Sequence, residues 1–514
     1  MKTIFLTIML VAGFQPEPTT PNTSPHATAS DSTQGDTNTK AEAQSSTKKE
    51  KEDLKKIQSQ TDAENRPENK SNPTSETATE KAADKKETAT SQTTTQLSIP
   101  FEKYTLGNGL GILLHEDHTT PIAHVEIWYH VGSKDEPKGR SGFAHLFEHL
   151  MFNGSAHADG EYFGPLQAYG ARINGTTNSD RTNYFETVPS HVLQRALWME
   201  ADRMGFLLPV LTQAKLDNQR EVVLNEKRQR YEIAPYAKAW KLLAETMWPK
   251  NHPYHNLTIG KNIDLEAANL EDVRRFFNTW YTPNNATLVV SGHFNPDEVK
   301  GWIQSYFGPL PKLAEPKPVT QSSAPLPKET TIDTTDKVQL PRMYNTWRSP
   351  AFMQEGDAEL DVLALILSQG KTSRLHKRLV YEDRIAKDVR AAQWSSQLGS
   401  TFNLVVTAAP GKKLSTIQKA VDEELARIIE DGPSEIELIR AKNAWKKSFY
   451  HQLESVAGKA SMLQRYNHHK QDPSWIGQDL QRYEKVTLAS LNKWLKNTLQ
   501  KDHRITLNIR PEKK

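Results

Sequence analysis

Two histidines and a glutamate share the short stretch His145-Leu146-Phe147-Glu148-His149. On a helix, residues four apart lie on one face, so His145 and His149 point the same way and offer paired imidazole ligands. Glu148 sits at the edge of that face, where a carboxylate is placed to take a proton from water on a bound zinc ion. The order inverts the His-Glu-x-x-His signature of zinc peptidases, and the glutamate keeps its place beside a ligand histidine. Apolar Phe143, Leu146, Phe147, Leu150 and Met151 surround the triplet, so the helix is expected to be buried. Buried histidine and glutamate need partners, and a metal satisfies all three at once.

A hydrolytic zinc site takes three protein ligands and keeps one position open. The third ligand must therefore come from elsewhere in the chain. The pattern predicts a long helix over 212–231, which carries Glu221 and Glu226. Spacing alone leaves both as candidates. The elements expected around the motif are a hairpin over 101–106 and 110–115, turned by Gly107-Asn108-Gly109, and a strand over 122–131. A charged, glycine-bearing loop over 132–142 leads into the motif helix. Then come a helix over 162–169, strands over 171–177 and 182–188, and a helix over 189–203. Helices over 236–247, 270–280 and 296–307 and a strand over 287–291 complete this half.

Residues 308–327 are rich in Pro, Ser and Lys and read as a linker. Beyond it, strands are expected near 330–333, 342–348, 388–394, 401–409 and 504–509. Helices are expected over 358–367, 414–430, 433–455, 459–468 and 488–499. The strand-then-helix order repeats, which makes the fold class α+β with two similar domains, each an antiparallel sheet packed with helices. Gly370-Lys371-Thr372 lacks a glycine five residues upstream, so a phosphate-binding loop is rejected. His468 and His469 are adjacent and cannot chelate on one helical face, so they are expected at the surface.

The chain has 514 residues, a formal charge of +3 and no cysteine. The charge is too small for this length to argue for nucleic acid. The missing cysteines exclude disulfides, thiolate ligands and a thiol nucleophile. Residues 1–14 read as a signal peptide, Lys2 followed by an apolar run, and are too short for a stable transmembrane segment. Residues 15–97 are dominated by Thr, Ser, Lys, Glu, Pro and Asn, the composition of a disordered linker. The expected organisation is then a zinc-peptidase domain over 98–308, a linker over 309–328 and a second α+β domain over 329–514. Export, most simply to a bacterial periplasm or cell envelope, follows from the leader.

Across roughly 101–510 the sequence resembles the pitrilysin/insulinase family of zinc peptidases, and is most similar to the branch holding the mitochondrial processing peptidase and short bacterial relatives. The matching phrases are Gly142-Phe143-Ala144-His145-Leu146-Phe147-Glu148-His149, Asn174-Gly175-Thr176-Thr177, Thr182-Asn183-Tyr184-Phe185 and Glu221-Val222-Val223-Leu224-Asn225-Glu226. In that family 76 residues separate the second histidine from a ligand glutamate, which selects Glu226 here. The resemblance implies one Zn2+ per chain on His145, His149 and Glu226, and Glu148 as general base. It implies a peptide substrate added as a strand beside Asn174, and paired halves that form part of a clamshell chamber. Two departures stand out. A further family glutamate is Gln219 here, and Glu221 is the nearest alternative. An Arg and a Tyr that active single-chain relatives supply from their other half align with Val380 and Lys387. The resemblance then implies a heterodimer with a paralogous, metal-free subunit, or else a homodimer. The rival reading is a catalytically silent peptide-binding or structural subunit.

Overall fold

The computed structural model describes residues 97–320, 322 and 324–513. The expected signal segment and nearly all of the expected polar linker lie outside these residues. The first sheet contains β1 (Glu102–Thr105), β2 (Gly111–Glu116), β3 (Ile122–Tyr129), β4 (Arg172–Thr177), β5 (Thr182–Pro189) and β6 (Ala286–Gly292). The second contains β7 (Thr330–Asp336), β8 (Arg342–Ser349), β9 (Ala386–Trp394), β10 (Ser400–Ala408) and β11 (Ile505–Pro511). Helices of eight residues or more are α1 (Phe143–Leu150), α2 (Leu193–Phe206), α3 (Gln213–Lys227), α4 (Lys238–Met247), α5 (Leu270–Trp280) and α6 (Pro296–Phe307). In the second half they are α7 (Asp357–Ser368), α8 (Leu414–Asp431), α9 (Glu435–Gln452), α10 (Val456–Lys470), α11 (Ile476–Glu484) and α12 (Leu488–Thr498).

The α+β class holds, with one refinement: each sheet carries a single parallel pair. The first sheet runs β1-β2-β6-β3-β5-β4 with β2 and β6 parallel; the second runs β7-β11-β8-β10-β9 with β7 and β11 parallel. Without β1 the two orders are the same, strand for strand. The duplication extends to the helix after the second shared strand. Both α1 and α7 start from a glycine in the left-handed region, Gly142 at φ 94° and Gly356 at φ 96°. At Gly142 a Cβ would meet the Ile259 carbonyl oxygen at 2.9 Å, so both conformation and space require glycine. Counted from these glycines, His145, Glu148 and His149 correspond to Glu359, Val362 and Leu363. The second half therefore repeats the scaffold without the chemistry.

The halves are tied together by exchanged helices. Helix α4 of the first half packs on β11 and β8 of the second sheet, and α10 of the second half packs on β6 and β3 of the first. Leu243 and Met247 share a core with Tyr344, Ile505, Leu507 and Ile509. Met462, Leu463 and Tyr466 share one with Leu113 and Val289. This explains why all of β6 is buried: one face meets α1 and its neighbours and the other meets α10. The Gln464 side chain donates to the Glu126 and Thr287 carbonyls at 3.1 and 2.7 Å, so the seam is polar as well as apolar.

Most expected elements appear within a few residues of their predicted ends. The helix expected over 162–169 shrinks to Gly164–Gln167, because Gly164, Pro165 and Gly170 leave room for only one turn. Helix α11 was not anticipated, its nine residues lying close behind Pro473. The surface expectation for His468 and His469 is overturned. His468 stacks on His130 at 4.8 Å between ring centroids, and their Nδ1 atoms are 2.7 Å apart. Gln397 reaches both His468 and His469, at 3.0 and 3.2 Å. The pair sits on α10, the exchanged helix, which no spacing rule within the helix reveals.

Burial holds these histidines neutral. It pulls His130 down to about 4 and His469 to about 3, and His468 well below the ordinary 6.5; nearby Lys134, Arg465 and Arg181 push the same way. The unfolded chain then binds more protons than the folded one below about pH 6.5. Stability is present in full above that pH and is lost as pH falls towards 4, by about 1.4 kcal/mol per pH unit for each proton taken up. Urea midpoints are expected to drop between pH 7.5 and 5.5, and to drop less in His130→Gln, whose side chain does not titrate.

Candidate metal centre

Helix α1 is fixed before it presents anything. The Glu136 carboxylate accepts from the backbone N–H groups of Gly142 and Ala144, both at 2.9 Å, and so caps the helix start. Burial raises the proton affinity of Glu136, and these two backbone hydrogen bonds oppose that rise. On the core side, Phe147 packs on Phe276 and Tyr281 at 5.2 and 5.0 Å between centroids, and Tyr184 donates to the Phe147 carbonyl. These contacts orient the opposite face of α1 towards α3.

That face brings His145, His149 and Glu226 together. One ligand atom from each lies within 4.8 Å of the others, and among the described residues no other such group was found. His149 Nε2 is 3.2 Å from Glu226 Oε2, and His145 Nε2 is 3.8 Å from Oε1. Both histidine Nε2 atoms are buried without a hydrogen-bond partner. Two buried imidazole nitrogens without a hydrogen-bond partner and a carboxylate beside them fit a zinc ion in chemistry and in number. Of the two candidate glutamates, Glu226 joins the cluster, while Glu221 is exposed. Gln219 is also outside it, its amide donating to Asn153 at 3.0 Å.

The electrostatics suit a neutral imidazole at His145 and a carboxylate anion at Glu226. Burial pulls His145 down to about 3, His149 and Arg230 acting in the same direction and Glu226 against it. Burial works to raise Glu226, but the close pairing with His149 and the neighbouring His145 and Arg230 hold it at about 2. Arg230, one helical turn on, places Nη1 2.6 Å from Glu226 Oε1. It belongs to a π-helical turn, Arg228–Ile233, into which α3 runs; such widened turns recur at functional sites.

Glu148 is 1% exposed. Its Oε2 accepts from the Thr177 hydroxyl at 2.6 Å, while Oε1 has no hydrogen-bond partner. Burial raises its proton affinity, and His149, the Thr177 hydroxyl and Arg181 moderate the rise. Thr177 ends β4, the outer strand of the first sheet. Asn174 lies in the same strand, half-buried, opposite Phe185. After Thr177 the chain turns, and Arg181 reaches back to donate to the Thr176 carbonyl at 2.8 Å and to Asn183 at 2.9 Å. Glu136, Thr177, Arg181 and Arg230 were not singled out from sequence. Only Arg230, four residues after Glu226, and Thr177, in the phrase beginning Asn174, had a readable signal.

The chain is similar to known proteins along most of its described length. Residues 111–260 match the family described as insulinase (peptidase family M16), and residues 267–445 match the peptidase M16 inactive domain. The zinc protease PqqE of Helicobacter pylori is 29% identical over 370 residues, covering 71% of this chain and 83% of that protein. The crystal structure of a protease from Helicobacter pylori superposes with a TM-score of 0.74 at 27% identity, over 81% of this chain and all of that one. The periplasmic protease PqqL from Escherichia coli has the same fold, with a TM-score of 0.67 at 19% identity over 81% of this chain and 48% of that one. Helices and mixed sheets in two like halves, one bearing a His-x-x-Glu-His helix, give the chain the M16 peptidase fold. The chain belongs to the insulinase (M16) family of peptidases.

Zinc content separates the two glutamates of α3. Glu226→Ala should weaken zinc binding by at least about 100-fold, and Glu221→Ala should leave it unchanged, as read by competition with a chromophoric chelator.

Proposed function

We propose that this chain is a zinc-dependent endopeptidase acting on peptides or unfolded segments. His145, His149 and Glu226 hold the metal and Glu148 is the general base. The supporting observation is the buried trio of ligand atoms within 4.8 Å, with an ionisable carboxylate beside it. Zinc, when bound, supplies Lewis acidity towards water and the scissile carbonyl. The protein supplies the rest. Thr177 fixes one oxygen of Glu148 and leaves Oε1 to receive the proton of the attacking water. Burial lets Glu148 hold that proton until the leaving amine takes it. Asn174 and the edge of β4 bind the substrate backbone as an added strand, which recognises extended chain more than side chains.

The second half bears on the partner. Val380 packs against the second core, and Lys387 is exposed on β9, so neither position offers an arginine or tyrosine. This supports a paralogous, metal-free subunit that completes the site, with a homodimer as the other arrangement. The same observation favours the rival reading of a catalytically silent, peptide-binding subunit. Export to the periplasm or envelope rests on residues 1–14 and on the periplasmic PqqL as a structural neighbour. No described helix is long and apolar enough to cross a membrane.

The decisive assay uses zinc-loaded protein and a quenched-fluorescent peptide library, alone and mixed with native extract. Glu148→Gln should keep one zinc per chain and lose about 10²–10⁴-fold in turnover. Undiminished cleavage by that variant refutes the mechanism. Turnover by the chain alone refutes the need for a complementing subunit, and silence under both conditions refutes the peptidase reading in favour of the silent one.

A further inference from the structure

We propose that a cleft on the face of the first sheet turned away from α1 is a binding site for a small organic carboxylate. Alternation along β3 sends Val125, Ile127 and Tyr129 to the core around α1, and His124, Glu126 and Trp128 to the opposite face. There they floor a cleft of about 430 Å³, together with Thr176 of β4 and Asn183 and Phe185 of β5. That volume suits a small ligand. Helix α10 is the roof: Ala457, Ser461, Arg465 and His469 recur every four residues and share the face that lines the cleft. The small side chains at the first two positions leave room beside the long cationic one. Phe352 adds an aromatic wall, its ring edge-on to His469 at 4.7 Å between centroids.

Two guanidinium groups line this cleft without a counter-ion. Arg181 makes its hydrogen bonds through Nη1, to the Thr176 carbonyl at 2.8 Å, to the Thr176 hydroxyl and to Asn183 at 2.9 Å. Its Nε and Nη2 have no partner among the described residues, and its guanidinium lies 5.1 Å from the centre of the Trp128 ring. Arg465 has neither a hydrogen bond nor an ion pair among the described residues. The nearby acids are already engaged. Glu126 accepts from Trp128 at 2.6 Å, Asn183 at 2.7 Å and Ser461 at 2.9 Å. Asp180 accepts from the Tyr254 hydroxyl at 2.6 Å and the Gln397 N–H at 3.0 Å. Asp479 on α11 is taken by Tyr466 and Arg482. One further buried group faces the cleft. His124 is 2% exposed, its Nδ1 is 2.9 Å from the Thr187 hydroxyl, and its Nε2, 3.9 Å from Glu126, has no hydrogen-bond partner.

Guanidinium forks with free N–H groups match a planar oxyanion. Burial pulls Arg181 down to about 10, and Arg465 acts in the same direction; a bound anion offsets both. Glu126 and Asp180 on the wall favour one negative charge over two, hence a carboxylate over a phosphate dianion. Trp128, Phe185 and Phe352 offer surface to an aromatic or aliphatic body. The cleft is separate from the metal ligands: Thr176 faces it, while Thr177, the next residue, holds Glu148 on the other side of the strand. Occupancy therefore requires neither zinc nor peptidase activity.

The test is calorimetric titration of the full chain, zinc-loaded and metal-free. N-acetylphenylalanine should bind once per chain with the same affinity in both forms. Its amide and inorganic phosphate should each bind at least about tenfold more weakly. Arg465→Gln alters a side chain without a protein partner, so it should fold as the parent does and lose at least about tenfold in affinity. Arg181→Lys keeps the charge and removes the fork; it should also weaken binding, and it stands in if the first variant misfolds. A tetrapeptide ending in a free phenylalanine carboxylate identifies the source. Tighter binding than N-acetylphenylalanine assigns the site to a peptide terminus, and weaker binding assigns it to a small acid; both keep the carboxylate site. The proposal is overturned if nothing binds, if acid and amide bind alike, or if phosphate matches the acid. It is equally overturned if affinity vanishes with the zinc or survives a folded arginine variant.

Discussion

Withdrawal of His145, Glu148 and His149 from water is the constraint around which the surrounding structure is arranged. All three are almost completely buried on one eight-residue helix. Ionisable groups are costly in such a place unless partners are supplied. Thr177 supplies one for Glu148, and Glu226 supplies one for the two imidazoles. The Nε2 atoms of His145 and His149 have no hydrogen-bond partner, and they are the atoms a zinc ion would take. The helix is too short to be stable alone, so its position comes from Glu136 at its start and from the aromatic cluster behind it.

The same scaffold occurs twice, and only one copy carries the chemistry. In α7 the positions matching Glu148 and His149 are Val362 and Leu363, both buried in the second core. Apolar residues at those places avoid the desolvation cost that α1 bears. The second half contributes by packing. Its helix α10 covers the back of the first sheet, and the loop after β9 grips Asp180 in the turn beyond Thr177. The geometry at Glu148 thus depends on residues more than two hundred positions away. Exchanging α4 for α10 makes the halves one unit and creates the seam in which both the histidine cluster and the arginine-bearing cleft lie.

Much of this was legible in the sequence because it is local. The i, i+4 histidines follow from helical geometry, the strands from alternation and β-branched content, and the two-fold layout from the repeated order of elements. The motif and spacing of the family resemblance then selected Glu226 over Glu221, a choice that periodicity had left open. What stayed illegible was which surface each helix meets. His468 and His469 look solvated on a polar helix. They are half-buried against His130 and Gln397 because α10 crosses to the other sheet, and Trp240 and Trp394 meet because α4 crosses the opposite way. Glu136, a loop carboxylate among other charges, becomes a helix cap only when the chain turns back at Gly142.

By itself, then, the sequence determined the elements, the duplicated α+β layout and the chemical identity of a candidate zinc centre, since these depend on residue type and short-range period. Tertiary structure alone decided the partners of that centre: Thr177 for Glu148, Arg230 for Glu226, and the second half for the turn that follows Thr177. The reason is physical. Helical and strand periodicities specify which side of an element is apolar, but not which of several apolar surfaces will cover it, and that depends on how the whole chain closes.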